Sequence, residues 1–307
     1  QQSMAKPSQT YDRAFTRLVD SILCSPGKDF ESARLREWQH TLYYLARRVE
    51  DANVLFAGLY SLRHFLPEGG NLYAWIATYN VALTRPLNHF QRLRLQVALA
   101  WHLILVGEIS SAESILCTAS SVIKALPTYR TNPAHVPTRI LELDLAAYRL
   151  LLRSLRGAGA ADVNDAVYYR SEADRFGLPA QRNRAELALA AVKFSAGLLT
   201  SAESNLETAY YYFEKRNMNT ESGIAAFGLG RLYCERDGID PLEQPPGDRG
   251  RMWLIKAAMH VANIGIPIGY KLVMPYLRHI EIELPYFEAP ELIPPYRIPP
   301  AERFSPN

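Results

Sequence analysis

Apolar residues recur along this chain at spacings of three and four. Leu35, Trp38, Leu42, Leu45, Val49 and Ala52 form one such run. Leu141, Leu145, Tyr148, Leu152 and Leu155 form a second, and Ala185, Leu189, Val192 and Ala196 a third. Side chains so spaced share one face of an α-helix, so the pattern predicts amphipathic helices. Strict alternation is scarce and β-branched runs are rare, which leaves little that reads as strand. Breakers fall between the helical stretches: Ser25-Pro26-Gly27, Pro67 to Gly70, Pro127 to Pro137, Gly157 to Gly159 and Pro245-Pro246-Gly247. Helices separated by short breaks pair antiparallel.

One signature repeats. Ala112, Leu116 and Ala119 stand at spacings of four and three, and so do Ala202, Leu206 and Ala209. Gly107 and Gly197 each lie five residues before the first alanine. The pairs Leu99-Ala100 and Leu189-Ala190 precede them at equal distance. A looser copy runs through Gly159, Ala166 and Ala173. A helix pair cannot bury its apolar stripe alone, so successive pairs stack. Alanine lets two helix backbones approach, and glycine suits the residue that reverses the chain after the first helix.

These residues resemble the tetratricopeptide repeat. The matching positions are Leu99, Ala100, Leu103, Gly107, Ala112, Leu116 and Ala119 in one copy, and Leu189, Ala190, Gly197, Ala202, Leu206 and Ala209 in another. Gln96 and Glu186 stand where that family carries a large aromatic residue. A further segment is similar to the related Sel-like repeat: Ala226, Leu229-Gly230, Tyr233 and Gly238, then Trp253, Lys256-Ala257-Ala258 and Gly265. Its turn is lengthened by Asp240 to Arg249. The resemblance covers roughly residues 95–265, and residues 11–90 read as helical but only weakly repeat-like, with Ala52, Phe56 and Leu59 as the best match. It implies an all-α, right-handed α-solenoid of six to eight hairpins. The concave surface would come mainly from the first helix of each pair. The expected layout is a repeat domain over 11–284 and an extended, Pro-rich tail over 285–307, where Pro290, Pro294, Pro295, Pro299 and Pro300 exclude a helix. A last helix is expected within Tyr270 to Leu284, after an interruption at Ile266 to Gly269.

Composition narrows the function. A net charge of +3, with basic residues scattered along the chain, carries no strong nucleic-acid signal. The longest uncharged apolar run, Leu95 to Gly107, is shorter than the ~20 residues that span a bilayer, so no membrane partner is expected. Cys24, Cys117 and Cys234 are odd in number and far apart. They read as thiols in a reducing, cytoplasmic setting, with Cys117 and Cys234 as small apolar helix residues.

No phosphate-binding glycine loop, nucleophile elbow or His-x-x-x-His pair is present. No catalytic residue, metal ligand or cofactor is therefore assigned, and the chain does not read as an enzyme. His102, beside Trp101 in an apolar helix, reads as a hydrogen-bonded core histidine. Asp162 and Asp165 read as acids at a helix N-terminus.

Three features read as candidate partner-binding sites. Tyr210, Tyr211, Tyr212 and Phe213 are consecutive, so on a helix at most two face the core. Arg34, Arg36, Arg47 and Arg48 form a basic stretch suited to carboxylates. Tyr296, in Ile293-Pro294-Pro295-Tyr296, lies in an apolar part of the tail. The expected function is a protein-protein interaction module, whether scaffold, chaperone or regulatory sensor, that binds a partner protein or peptide in the solenoid groove. Degenerate repeats of this kind resemble the sensing domains of large bacterial transcription activators and the chaperones of secretion systems. The alternative is a small-ligand receptor or an enzyme with a pocket in the helical groove. Homo-oligomerisation through the aromatic cluster stays open.

Overall fold

The computed structural model describes residues 7–24, 32–63, 72–126, 132, 135–264 and 267–282, and among them every regular element is helical. The helices are α1 (Pro7–Leu23), α2 (Ser32–Ala46), α3 (Ala52–Leu62), α4 (Leu72–Leu83), α5 (His89–Val106) and α6 (Ile109–Ala125). They continue with α7 (Val136–Leu155), α8 (Ala160–Arg175), α9 (Pro179–Ser195), α10 (Leu199–Glu214), α11 (Asn219–Arg236), α12 (Asp248–Ile264) and α13 (Pro267–Val273). A 3-10 turn, Met274–Leu277, follows. The chain divides into two compact units, one through Ile115 and one beginning at Leu116.

In the first unit α1 packs on α2 and α3, α2 on α4, and α5 on α3 and α4. Its core holds Phe15, Leu42, Leu59, Leu62, Trp75, Tyr79, Leu95 and Leu99, all at most 1% exposed. The three-four periodicity through Val49 and Ala52 crosses a helix break. α2 stops at Ala46, and the Asp51 carboxylate accepts from the Asn53 and Val54 N–H groups to start α3. Those N–H groups have no partner within the helix, so the local cap outweighs the continuing apolar pattern. At α5, Asn88 and Gln91 bond reciprocally to each other's backbone N–H.

The second unit is more regular. α7 packs on α8 and α9, α9 on α10 and α11, and α11 on α10 and α12. Each pair thus rests on the next, and α7, α9 and α11 are the first helices of the pairs. Gly177, Gly197, Asn217 and Gly238 all have positive φ. At Gly197 its own N–H bonds to the Phe194 carbonyl and the next N–H, of Leu198, to that of Lys193. The same two bonds recur at the other three, closing the orphan carbonyls of each helix end. Successive left-handed residues stand 20, 20 and 21 positions apart. In the looser copy the left-handed residue is Gly157, whereas Gly159 is extended and caps α8.

The second helices carry small residues seven apart on one face. Ala166 and Ala173 on α8, and Ala202 and Ala209 on α10, are fully buried. Gly250 and Ala257 repeat the spacing on α12. A Cβ on Gly250 would lie 2.8 Å from the Cys234 sulfur, and one on Gly230 2.8 Å from the Leu254 side chain. Only glycine permits α11 and α12 to cross this closely. Cys234 is buried, but Cys117 is exposed, contrary to its reading as an apolar helix residue. α13 begins at Pro267, since proline is tolerated in a first turn where its missing N–H costs nothing. Pro275 then cannot donate to the ladder, and the chain tightens to the 3-10 turn. The tail over 285–307 lies outside the described residues.

Candidate binding surface

Three first helices of the second unit are joined by a buried ionic spine. Arg184 on α9 is 4% exposed. Its Nη1 donates to Asp144 Oδ1 on α7 at 3.2 Å, and its Nη2 to Glu221 Oε1 on α11 at 3.4 Å. Gln181, one turn earlier, donates to the same Asp144 oxygen at 3.3 Å. Burial works against the Arg184 cation, but Tyr148, Asp144 and Glu221 outweigh it and hold the guanidinium protonated. Burial pushes the Glu221 carboxyl up, and the Arg184 charge opposes that shift. Glu221 also occupies the first turn of α11, where the helix dipole favours a negative charge. Sequence reasoning missed these residues. Their signal is spacing, since Asp144 and Gln181 are 37 residues apart and so are Arg184 and Glu221.

Glu186 stands where the tetratricopeptide pattern has an aromatic residue. It is buried, accepts from Asn205 Nδ2, and lies 3.8 Å from Arg170. Lys193 donates to Asn205 Oδ1 at 2.9 Å. A polar network thus occupies that position and ties α8, α9 and α10 together.

The four consecutive aromatics separate by helix geometry. Tyr210 and Phe213 are core residues at 1% and 0% exposure, Tyr212 is partly buried, and Tyr211 is 57% exposed. Tyr210 meets Trp253 edge to face at 4.8 Å and donates to Glu214 at 2.6 Å. Burial first, then Glu214, push its phenol upward. Tyr211 leans edge-on against Tyr210 at 5.4 Å. Met259 occupies the equivalent place on α12, two residues past the second small position, and is 56% exposed. Tyr168 on α8 and Met252 on α12 likewise share a register position and are exposed. Large apolar side chains therefore recur outward on successive second helices.

Arg47 and Arg48 are exposed at the end of α2, where Arg48 lies over the Tyr44 ring at 3.5 Å. They belong to the first unit and Tyr210 to Tyr212 to the second. The Arg34 and Arg36 side chains and Tyr296 lie outside the described residues. His102 is fully buried, with Nδ1 2.8 Å from the Ala98 carbonyl, and burial pushes its pKa down to about 4. Asp162 accepts from the Gly159 N–H and from Arg153, and both hold its carboxyl below the usual range. Among the described residues no group of three His, Cys, Asp or Glu is placed to hold a metal, and no helix is long and apolar enough to cross a membrane.

Comparison with models of protein families and with curated proteins finds no match.

Proposed function

We propose that this chain is an interaction module in which stacked helices present a rigid surface to a partner protein or peptide, as a scaffold, chaperone or regulatory sensor does. The observation that carries this reading is Tyr211. A large aromatic side chain stands more than half exposed on a buried, hydrogen-bonded tyrosine, with Met259 at the matching place on the next second helix. Such a side chain is ordered before binding and offers contact area at little entropic cost, which is the character of an interface anchor. The ionic spine supports the reading by joining the first helices, on which the second helices that carry the surface pack. The proposal places the protein in the cytoplasm, where its three free cysteines stay reduced.

The test is capture from native lysate on immobilised wild-type chain and on Y211A. A stoichiometric protein partner, lost about tenfold or more in Y211A at unchanged melting temperature, is the expected result. Absence of any stoichiometric partner on the wild type would sink the reading. Light scattering in parallel shows whether the partner is a second copy of the chain.

A small-ligand receptor is the second reading, and the first unit favours it. The Tyr79 hydroxyl and His102 Nε2 are buried without a protein partner, and their rings lie 5.2 Å apart. A thermal-shift screen of small polar molecules checks it. A stabilising compound whose effect vanishes in Y79F would favour the receptor over the interaction module.

A further inference from the structure

Arg231 lies in the C-terminal half of α11 and is half-buried. Its guanidinium carbon is 4.5 Å from the ring centre of Phe194 on α9, 5.8 Å from that of Phe227 one turn earlier on α11, and 5.6 Å from that of Tyr276 in the 3-10 turn. Phe227 and Tyr276 meet edge to face at 5.2 Å. Three elements of the second unit thus bring aromatic rings around one cation. Among the described residues no hydrogen-bond acceptor and no carboxylate engages it, and the residue is only partly buried. Glu235, one turn on, makes no ion pair with it. By contrast Arg153, Arg170, Arg175, Arg182, Arg184 and Arg236 each meet an aspartate or glutamate within 4 Å.

Aromatic rings attract a guanidinium electrostatically and strip water from its faces. They accept no conventional hydrogen bond from its N–H groups, which form a fork matched in geometry to a carboxylate. A cation held this way has already lost much of its rotamer freedom, so little more is lost on binding. The partly exposed rims of Phe194, Phe227 and Tyr276 add apolar contact beside the charge. The charge complement of this site is one carboxylate flanked by an apolar side chain.

We propose that Arg231, within Phe194, Phe227 and Tyr276, is the receptor for an acidic side chain on a peptide segment of the partner, an Asp or Glu next to an apolar residue. This rests on the interaction-module reading and deepens it.

The test offers immobilised full-length chain three pools of short synthetic peptides with identical randomised flanks and a central Glu-Phe, Gln-Phe or Lys-Phe. Bound peptide is read by mass spectrometry. The expected result is retention of the Glu-Phe pool about tenfold over the Gln-Phe pool, the size of one charge-assisted contact. R231Q abolishes the preference, R231K keeps a fraction of it because the ammonium lacks the fork, and both keep the wild-type melting temperature to within a few degrees. Equal retention of the pools by the wild type would overturn the proposal, as would a preference that survives R231Q. A lower melting temperature in R231Q with the preference intact would likewise overturn it, leaving Arg231 as packing alone. Free N-acetylglutamate displacing the Glu-Phe pool completely at matched concentration would overturn the peptide assignment in favour of a small carboxylate. Lysate capture by the wild type that is unchanged in R231Q sinks this inference and leaves the module reading standing, whereas no capture at all removes the module reading itself.

Discussion

In the second unit Arg184 lies between Asp144 and Glu221, and each buried charge faces an opposite one. In the first unit Tyr79 Oη, Asn80 Nδ2, Arg85 Nε, Arg94 Nε and His102 Nε2 are buried with no protein partner. Among the described residues of the second unit the corresponding atom is Asn183 Oδ1. Regularity accounts for the contrast. Helices α7 to α12 run 16 to 20 residues, and on the first helices α7, α9 and α11 the joined polar residues stand 37 apart, so a polar residue meets others at equivalent places on the neighbouring first helices. In the first unit α3 and α4 have only 11 and 12 residues beside an α5 of 18. With no common interval, no recurring partner is supplied. A buried polar atom without a partner costs about 1–3 kcal/mol, so the first unit is the weaker of the two in this respect.

The largest effect is expected of R184M, which leaves Asp144 and Glu221 buried together without their cation. A loss of about 3–5 kcal/mol is expected in urea unfolding. If R184M costs under about 1 kcal/mol, the spine does not hold the register. Next in size is the pH dependence of His102. Its folded pKa of about 4 lies below the ordinary 6.5, so the unfolded chain binds the proton first as pH falls. Stability contributed by the neutral ring is present above pH 6.5 and is lost down to about pH 4, by about 3 kcal/mol in all. The H102Q variant should lack that part of the slope in pH-resolved melts. An unchanged slope would show that the ring titrates normally.

Smaller effects are expected at Gly197 and Tyr79. Gly197 has φ +76° and open space where a Cβ would stand, so G197A carries backbone strain alone and should cost about 1 kcal/mol. In the first unit Y79F removes an unpartnered hydroxyl. It should leave stability unchanged or raise it by up to about 1 kcal/mol. A marked loss in Y79F would mean that the hydroxyl finds a partner in solution.

Much of the scaffold follows from local rules. The spacings of Leu141, Leu145, Tyr148 and Leu152 mark a buried helix face, and all four are buried on α7, whereas Leu155, the last of that run, is exposed at the helix end. Gly107 and Gly197 end their helices with positive φ because a left-handed residue must close the turn. Ala202 and Ala209 are buried because the helix period puts residues seven apart on one face. The separation of Tyr210 from Tyr211 follows from the same geometry.

Other features are set by packing between helices that are distant along the chain. Nothing local distinguishes Arg184 and Glu221 from solvated charges, and only the stacking of α7, α9 and α11 buries them together. Arg231 looks like any surface arginine until α9, α11 and the 3-10 turn bring Phe194, Phe227 and Tyr276 around it. Periodicity, caps and turn residues act within a few positions along the chain, so the sequence alone determined which segments are helices and which faces they bury. Which charges are paired and which cation is ringed by aromatic side chains depend on contacts tens of residues apart, so those were settled by the tertiary structure alone.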